Sequence, residues 1–144
     1  MNKAIYIHGT NTKYIPTNLG SFSNLTALRM ESTQLIEIKA KDFHGMQDLE
    51  SINFYNNKLS AVPLDAFATL TKLRIMKIPL KLRFIYLSEN QIEELPNEIF
   101  KNNLELEVIY LWNNRIKYLG TEIFNNLKID VVDLQKIIFC WFGR

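Results

Sequence analysis

Apolar residues follow a repeated pattern along the chain, in which a short alternating stretch is followed by an asparagine and, further on, by a phenylalanine. Successive phenylalanines are separated by 24, 33 and 24 residues, and successive asparagines by 33 and 24. Two residue types therefore share one period and one interruption, which indicates an internally repeated fold. The residues that set the period are Phe43, Phe67, Phe100 and Phe124, together with Asn57, Asn90 and Asn114.

Three segments share one frame when they are aligned on these asparagines. A fourth, which starts at Leu25, has Thr33 in the asparagine position, and weaker copies begin near Ile5 and Ile129. The alternation within each copy has a period of two, which predicts a short strand with every second side chain facing inward. The clearest copies are Leu49-x-x-Ile52-x-Phe54-x-x-Asn57-x-Leu59, Leu82-x-x-Ile85-x-Leu87-x-x-Asn90-x-Ile92 and Leu106-x-x-Ile109-x-Leu111-x-x-Asn114-x-Ile116.

The physical role of each position that recurs in the copies follows from this geometry. Strands of successive copies are expected to pair in parallel, and the chain must turn sharply after each strand. That turn leaves backbone donors and acceptors facing the interior, where a buried Asn amide satisfies them. The phenylalanine is expected to fill the opposite, irregular side. One copy cannot bury its apolar face alone, so the copies must stack.

The pattern resembles the leucine-rich repeat, and its length and Leu-Pro-x-x-x-Phe ending are similar to the typical 24-residue subclass. The segments IPTNLGSFSNL and VVDLQ also resemble secreted insect leucine-rich proteins. The resemblance implies an α/β-type solenoid, with parallel strands on the concave face and an irregular or short helical convex side. It implies a single domain over residues 1–144. The repeats are placed near 4–24, 25–48, 49–72, 82–105 and 106–128, with a partial one at 129–142.

The regular period breaks at residues 73–81. A strand-like copy begins at Leu73, but Pro79 follows and a new copy starts only nine residues later, at Leu82. Two parallel strands need a crossover of about a dozen residues, so both segments cannot be consecutive turns. We therefore expect Ile85 and Leu87 to continue the sheet beside Ile52 and Phe54. The apolar tail 137–142 either caps the last turn or marks a truncated domain.

Composition excludes several classes of function. The 17 basic and 15 acidic residues are scattered and give a net charge of +2, so no basic stripe is available for nucleic acid. No stretch approaches the roughly 18 apolar residues of a membrane span. One cysteine, Cys140, and two histidines, His8 and His44, give neither a disulfide nor a plausible zinc site. We expect no metal, no cofactor and no catalytic residues.

Outward strand positions define the expected binding surface. Aromatic residues recur there in neighbouring copies, and aromatic side chains suit protein interfaces because they bury much area and keep a polar tip. The alternative is that tyrosine and tryptophan only pack across the strands. Arg29 and Glu31 are either contact residues or a solvated face. The predicted partner-binding residues are Tyr55, Phe84, Tyr86, Tyr110, Trp112, Arg29 and Glu31, and the other outward positions include Tyr6, His8, Asn53, Ser88, Asp133 and Gln135.

The sequence favours a module that binds a protein ligand, of extracellular or innate-immune type by the resemblance. The alternative is an intracellular scaffold or regulator, and an enzyme is not expected. Asn24-Leu25-Thr26 is an N-glycosylation sequon, which matters only in a secreted protein. The residues after Met1 show no signal peptide, so the chain is expected to be extracellular if an upstream leader is missing and cytoplasmic otherwise. The oligomeric state stays open.

Overall fold

A computed structural model describes residues 3–22, 24–70 and 82–137 of the chain. They form a six-stranded sheet in which every strand is parallel to the next and the spatial order equals the order in the chain. The chain therefore winds as a solenoid, with one strand per turn. The strands are β1 (Lys3–His8), β2 (Leu25–Glu31), β3 (Ser51–Asn53), β4 (Phe84–Tyr86), β5 (Val108–Tyr110) and β6 (Val131–Asp133).

The alternation within each strand separates core from surface. Ile52, Ile85 and Ile109 occupy the same register position in β3, β4 and β5 and are fully buried. Their neighbours in the sequence lie on the open face of the sheet and are only partly buried. The parallel-strand solenoid predicted from the period is therefore confirmed.

The long interval between the third and fourth copies leaves the stack continuous. β3 pairs directly with β4, with Ile52 beside Ile85. On the other side of the coil the rings of Phe67 and Phe100 stack with centroids 6.2 Å apart. The prediction that Ile85 continues the sheet is confirmed. The predicted break at 73–81 and the tail beyond Ile137 lie outside the described residues.

The asparagines form the predicted ladder inside the turns that follow the strands. The Asn90 Oδ1 accepts a hydrogen bond from the Leu59 backbone N at 3.0 Å in the preceding turn. Its Nδ2 donates to the carbonyl oxygens of Phe54, at 2.9 Å, and Leu87, at 3.0 Å. One amide thus links two turns and satisfies buried backbone groups that the strands leave unpaired.

A column of left-handed residues lies just before the ladder and directs each turn inward. All six have φ between 53° and 64°, and three of them are neither glycine nor asparagine, the residues that adopt this region most readily. The same conformation therefore recurs in every turn, one residue after the end of β1 and β2 and three residues after the end of β3 to β6. The column consists of Gly9, Ser32, Asn56, Glu89, Asn113 and Lys136.

The convex side is irregular, as predicted. Two 3₁₀ helices, Leu19–Ser21 and Ala40–Phe43, are the helical elements within the described part of the chain. Phenylalanine rings contact one another along this side. The Phe43 and Phe67 rings are tilted, with centroids 6.0 Å apart, and the Phe100 and Phe124 rings are stacked, with centroids 6.4 Å apart. These rings fill the interior opposite the sheet and hold the turns in register.

Candidate functional site

Strand register brings the predicted aromatic residues onto one face. Tyr86 of β4 lies beside Tyr110 of β5. Backbone hydrogen bonds extend the pairing beyond the strands, because Asn56 N donates to the Ser88 carbonyl at 3.1 Å and Glu89 N donates to the Trp112 carbonyl at 3.0 Å. A second outward column therefore runs through Tyr55, Ser88 and Trp112. We refer to Tyr55, Phe84, Tyr86, Tyr110 and Trp112 as the aromatic surface.

The rings of the aromatic surface contact one another in pairs. The Tyr86 and Tyr110 rings have centroids 5.2 Å apart and are tilted by 55°. The Tyr55 and Trp112 rings have centroids 5.8 Å apart and are tilted by 48°. All four side chains are partly buried. Each ring is therefore in contact with a neighbour while part of it still faces solvent.

Ser88 corrects one expectation from the sequence. It was assigned to the outward face, but only 1% of it is exposed. Tyr55 and Trp112 lie two turns apart, a separation of about 10 Å between backbones, yet their ring centroids are 5.8 Å apart. The rings therefore lean toward each other over the small serine. Its buried hydroxyl has no hydrogen-bond partner among the described residues.

Arg83 lies at the edge of the aromatic surface and contacts Phe84. Its guanidinium carbon lies 5.0 Å from the centroid of the Phe84 ring, which is a cation–π contact. The same guanidinium donates to both carboxylate oxygens of Glu107, each at 2.7 Å. These hydrogen bonds raise the pKa of Arg83 above its ordinary value, although partial desolvation opposes the change. The residue is a fixed cation that orients Phe84.

Arg29 and Glu31 extend the same face toward the first turn. The Glu31 carboxylate accepts hydrogen bonds from the Tyr6 hydroxyl at 3.2 Å and from Asn53 Nδ2 at 2.6 Å. Desolvation, and then the hydrogen bond to Glu31, raise the pKa of the Tyr6 phenol above its ordinary value, so it remains a donor. Arg29 pairs in register with Tyr6 and Asn53 and is exposed. The structure thus places both charged residues on the face that carries the aromatic surface, and their role in contact stays a prediction.

The remaining sequence features are located but not tested. Asn24 is exposed, with φ 61°, immediately before β2, and its glycosylation stays a prediction. Among the described residues no three His, Cys, Asp or Glu side chains converge as metal ligands do. Within the same ranges, no helix has the length and apolarity to cross a membrane.

Two features of the site escaped the sequence reasoning. The Arg83–Glu107 pair carried a signal, because the two residues occupy the same position in adjacent copies, 24 residues apart, with opposite charges. The contact of the Tyr55 and Trp112 rings above Ser88 had only a weak signal in the sequence, namely a small residue between two large ones in a column. Ring tilt depends on packing that a repeat alignment does not contain.

Comparisons with known proteins agree with the geometry. The model of the BspA type leucine-rich repeat region matches residues 13–139, with six copies. A comparison with curated proteins finds no significant match.

Solved structures with similar folds come from different kingdoms. A chain in the structure of the Toll–Spatzle complex of Drosophila, described as a molecular hub in development and innate immunity, is 26% identical, with a TM-score of 0.71 over 82% of this chain. The leucine-rich-repeat ectodomain of the receptor kinase SOBIR1 from Arabidopsis thaliana is 24% identical, with a TM-score of 0.58 over 88% of this chain. This chain spans 15% of the first of those chains and 65% of the second.

The repeat frame, the parallel sheet and the asparagine ladder all agree with the matched model. The narrower similarity to secreted insect proteins stays a prediction. By its sequence over most of its length and by its fold, the chain belongs to the BspA type leucine-rich repeat proteins.

Proposed function

We propose that this chain is a recognition module that binds a protein partner through the aromatic surface. Leucine-rich-repeat proteins are generally binding modules, and the parallel sheet is the regular face of this one. The observation that carries the proposal is that neighbouring turns place two contacting ring pairs on that face, Tyr86 with Tyr110 and Tyr55 with Trp112. Preorganised aromatic rings bind at a low cost in conformational entropy.

The proposal includes binding without catalysis. Neither a nucleophile with an adjacent base nor a glycine-rich phosphate loop emerges from the sequence. The proposal therefore assigns the surface to binding, through the area and shape of its rings. An assay for turnover has no substrate class to begin with, whereas an assay for capture has a defined surface to mutate.

The test is affinity capture with a variant that lacks the central rings. The full chain and a Tyr86→Ala/Tyr110→Ala/Trp112→Ala variant are immobilised, and the proteins that each retains from an extract of the source organism are quantified. The control is Tyr14→Ala/Phe22→Ala/Tyr118→Ala, which removes three aromatic residues that are exposed elsewhere on the chain. We expect capture to be lost in the first variant and retained in the control, with unchanged circular dichroism in both. Equal capture by the first variant contradicts the proposal.

We also propose an extracellular location. The support is the likeness to a chain of the Toll–Spatzle structure, at 26% identity, together with the exposed sequon at Asn24. Protein isolated from its native source should lose mass on enzymatic removal of N-glycans, and an Asn24→Gln variant should not. A native protein without glycan at Asn24 favours the intracellular scaffold instead.

A further inference from the structure

Charge is distributed unevenly between the open face of the sheet and the rest of the chain. The chain carries a net charge of +2. The open-face segments of the third to sixth turns, residues 50–56, 83–89, 107–113 and 130–136, hold five acidic residues and two basic ones. The acidic residues are Glu50, Glu89, Glu107, Asp130 and Asp133, and the basic residues are Arg83 and Lys136. The face that holds the aromatic surface is therefore negative on a chain that is positive overall.

One of these carboxylates lies beside the aromatic surface, and a second lies at its edge in the same turn. Asp133 pairs in register with Tyr110. Asp130 lies just before β6, and its backbone N donates to the Glu107 carbonyl at 2.8 Å, so it continues the column of Glu107. The Glu107 side chain already binds Arg83, whereas the exposed Asp130 carboxylate forms no salt bridge to another described residue. Asp133 thus lies one strand spacing, about 5 Å, from the backbone of Tyr110, and Asp130 lies three residues earlier in the same turn.

Aromatic faces beside carboxylates favour a cation. The negative face of a Tyr or Trp ring attracts an ammonium or guanidinium group, and a nearby carboxylate adds a charge-assisted hydrogen bond. The structure holds one example of this arrangement, in which Arg83 lies over Phe84 and binds Glu107. The Tyr110 ring, with Asp133 beside it in the following turn, presents a similar combination, and within the described part of the chain no cation lies over it.

We propose that the aromatic surface binds a basic protein segment, in which lysine or arginine residues flank apolar ones. The apolar residues contact the rings, one cation lies over Tyr110 against Asp133, and a second lies against Asp130 at the edge of the surface. This inference rests on the proposed function and specifies the chemistry of its partner. Charge complementarity of this kind selects the partner and speeds association, and it weakens as salt is added.

Selection from a library of short random peptides tests the inference. The full chain is the target, and the Tyr86→Ala/Tyr110→Ala/Trp112→Ala variant is the counter-target. We expect the enriched peptides to be rich in lysine or arginine beside apolar residues. Binding of a synthetic enriched peptide should weaken as NaCl is raised.

A charge-neutralising pair of variants separates the role of the carboxylates from that of the rings. Asp130→Asn/Asp133→Asn should weaken binding of the enriched peptide roughly tenfold, because two exposed charges that attract the cations are removed. Glu98→Gln/Glu122→Gln removes the same charge from exposed positions on the convex side and should leave the affinity unchanged.

The outcomes distinguish this inference from the proposed function. Enriched peptides that are neutral or acidic, or that bind the Asp130→Asn/Asp133→Asn variant equally well, overturn the basic segment and leave the aromatic surface as the binding site. Peptides that bind the triple aromatic variant equally contradict both. Failure to enrich any peptide, or self-association of the chain that the aromatic variant abolishes, also contradicts the basic segment.

Discussion

The ladder asparagines satisfy different numbers of buried groups, so alanine substitutions at the three positions should differ in cost. Asn57 satisfies the largest number of buried groups that have no other partner. Its Oδ1 accepts hydrogen bonds from the backbone N of Thr33, at 3.0 Å, and of Leu35, at 2.9 Å, and its Nδ2 donates to the Met30 carbonyl at 2.6 Å. No other hydrogen bond reaches these three groups within the described residues. The buried Thr33 hydroxyl also donates to Oδ1, at 3.0 Å, so Asn57→Ala leaves four groups unpaired.

Asn114 and Asn90 have smaller roles because neighbouring amides share their acceptors. Asn114 is the sole described partner of the Ile92 N, at 3.0 Å, and of the Leu111 carbonyl, at 2.8 Å. The next turn has Ile137 at the ladder position, so it offers no second donor to Leu111. Asn114→Ala therefore leaves two groups unpaired.

Asn90→Ala leaves one group unpaired, the Leu59 N. Of the carbonyls to which its amide donates, that of Phe54 keeps a hydrogen bond from Asn57 at 3.0 Å. The Leu87 carbonyl keeps one from Asn114 at 3.0 Å. The central asparagine, which has the most neighbours, is therefore the least costly to replace.

The magnitudes follow from the cost of an unpaired buried group. Each buried group that is left unpaired lowers the free energy of unfolding by about 1–3 kcal/mol. The side-chain volume lost is the same in all three variants. With about 1 kcal/mol per group and about 1 kcal/mol for lost packing, the free energy of unfolding should fall by about 5 kcal/mol in Asn57→Ala. The corresponding losses are about 3 kcal/mol in Asn114→Ala and about 2 kcal/mol in Asn90→Ala.

Urea denaturation followed by circular dichroism measures these losses. Asn125→Ala, at an exposed convex position, serves as the control and should change stability by less than about 0.5 kcal/mol. Equal losses in the three ladder variants, or the largest loss at Asn90, would refute the reasoning from shared acceptors.

Two further predictions concern close packing. A Cβ at Gly20 would lie 1.9 Å from the His44 backbone oxygen, whereas at Gly120 it would lie 1.5 Å from the Oδ1 of the exposed Asn97. A side chain can rotate away from the added methyl group, whereas a backbone cannot. Gly20→Ala should therefore lower the free energy of unfolding by about 2 kcal/mol or more, and Gly120→Ala by less than about 1 kcal/mol. Similar losses for the two variants in urea denaturation contradict this reasoning. Ser88→Ala removes a buried hydroxyl without a partner and should leave the melting temperature unchanged or raise it, and a clear decrease would indicate an unrecognised hydrogen bond.

The repeat made most of the fold predictable from sequence. Positions that recur with one chemistry, such as Asn57, Asn90 and Asn114, serve the same backbone groups in every turn, so their spacing determines the pairing of the strands. The extra nine residues between the third and fourth copies did not obscure this, because Ile85 and Phe100 keep the frame on both sides of the coil.

The site was predictable only in outline. Alternation identified the outward face and hence the aromatic surface, but alternation treats every second residue as exposed. Ser88 is buried because the large rings of Tyr55 and Trp112 meet above it, and this depends on side-chain size in three adjacent turns. Arg83, which lies one residue before β4, was not considered, although it fixes Phe84 and neutralises Glu107.

Hydroxyl-radical footprinting of the chain, alone and with the partner it captures, tests the central claim most directly. Mass spectrometry reports the oxidation of each aromatic side chain. The account predicts that Tyr55, Tyr86, Tyr110 and Trp112 become protected in the complex, while Tyr14 and Tyr118 keep their reactivity. Protection of Tyr14 or Tyr118 with unchanged oxidation of the aromatic surface would contradict it.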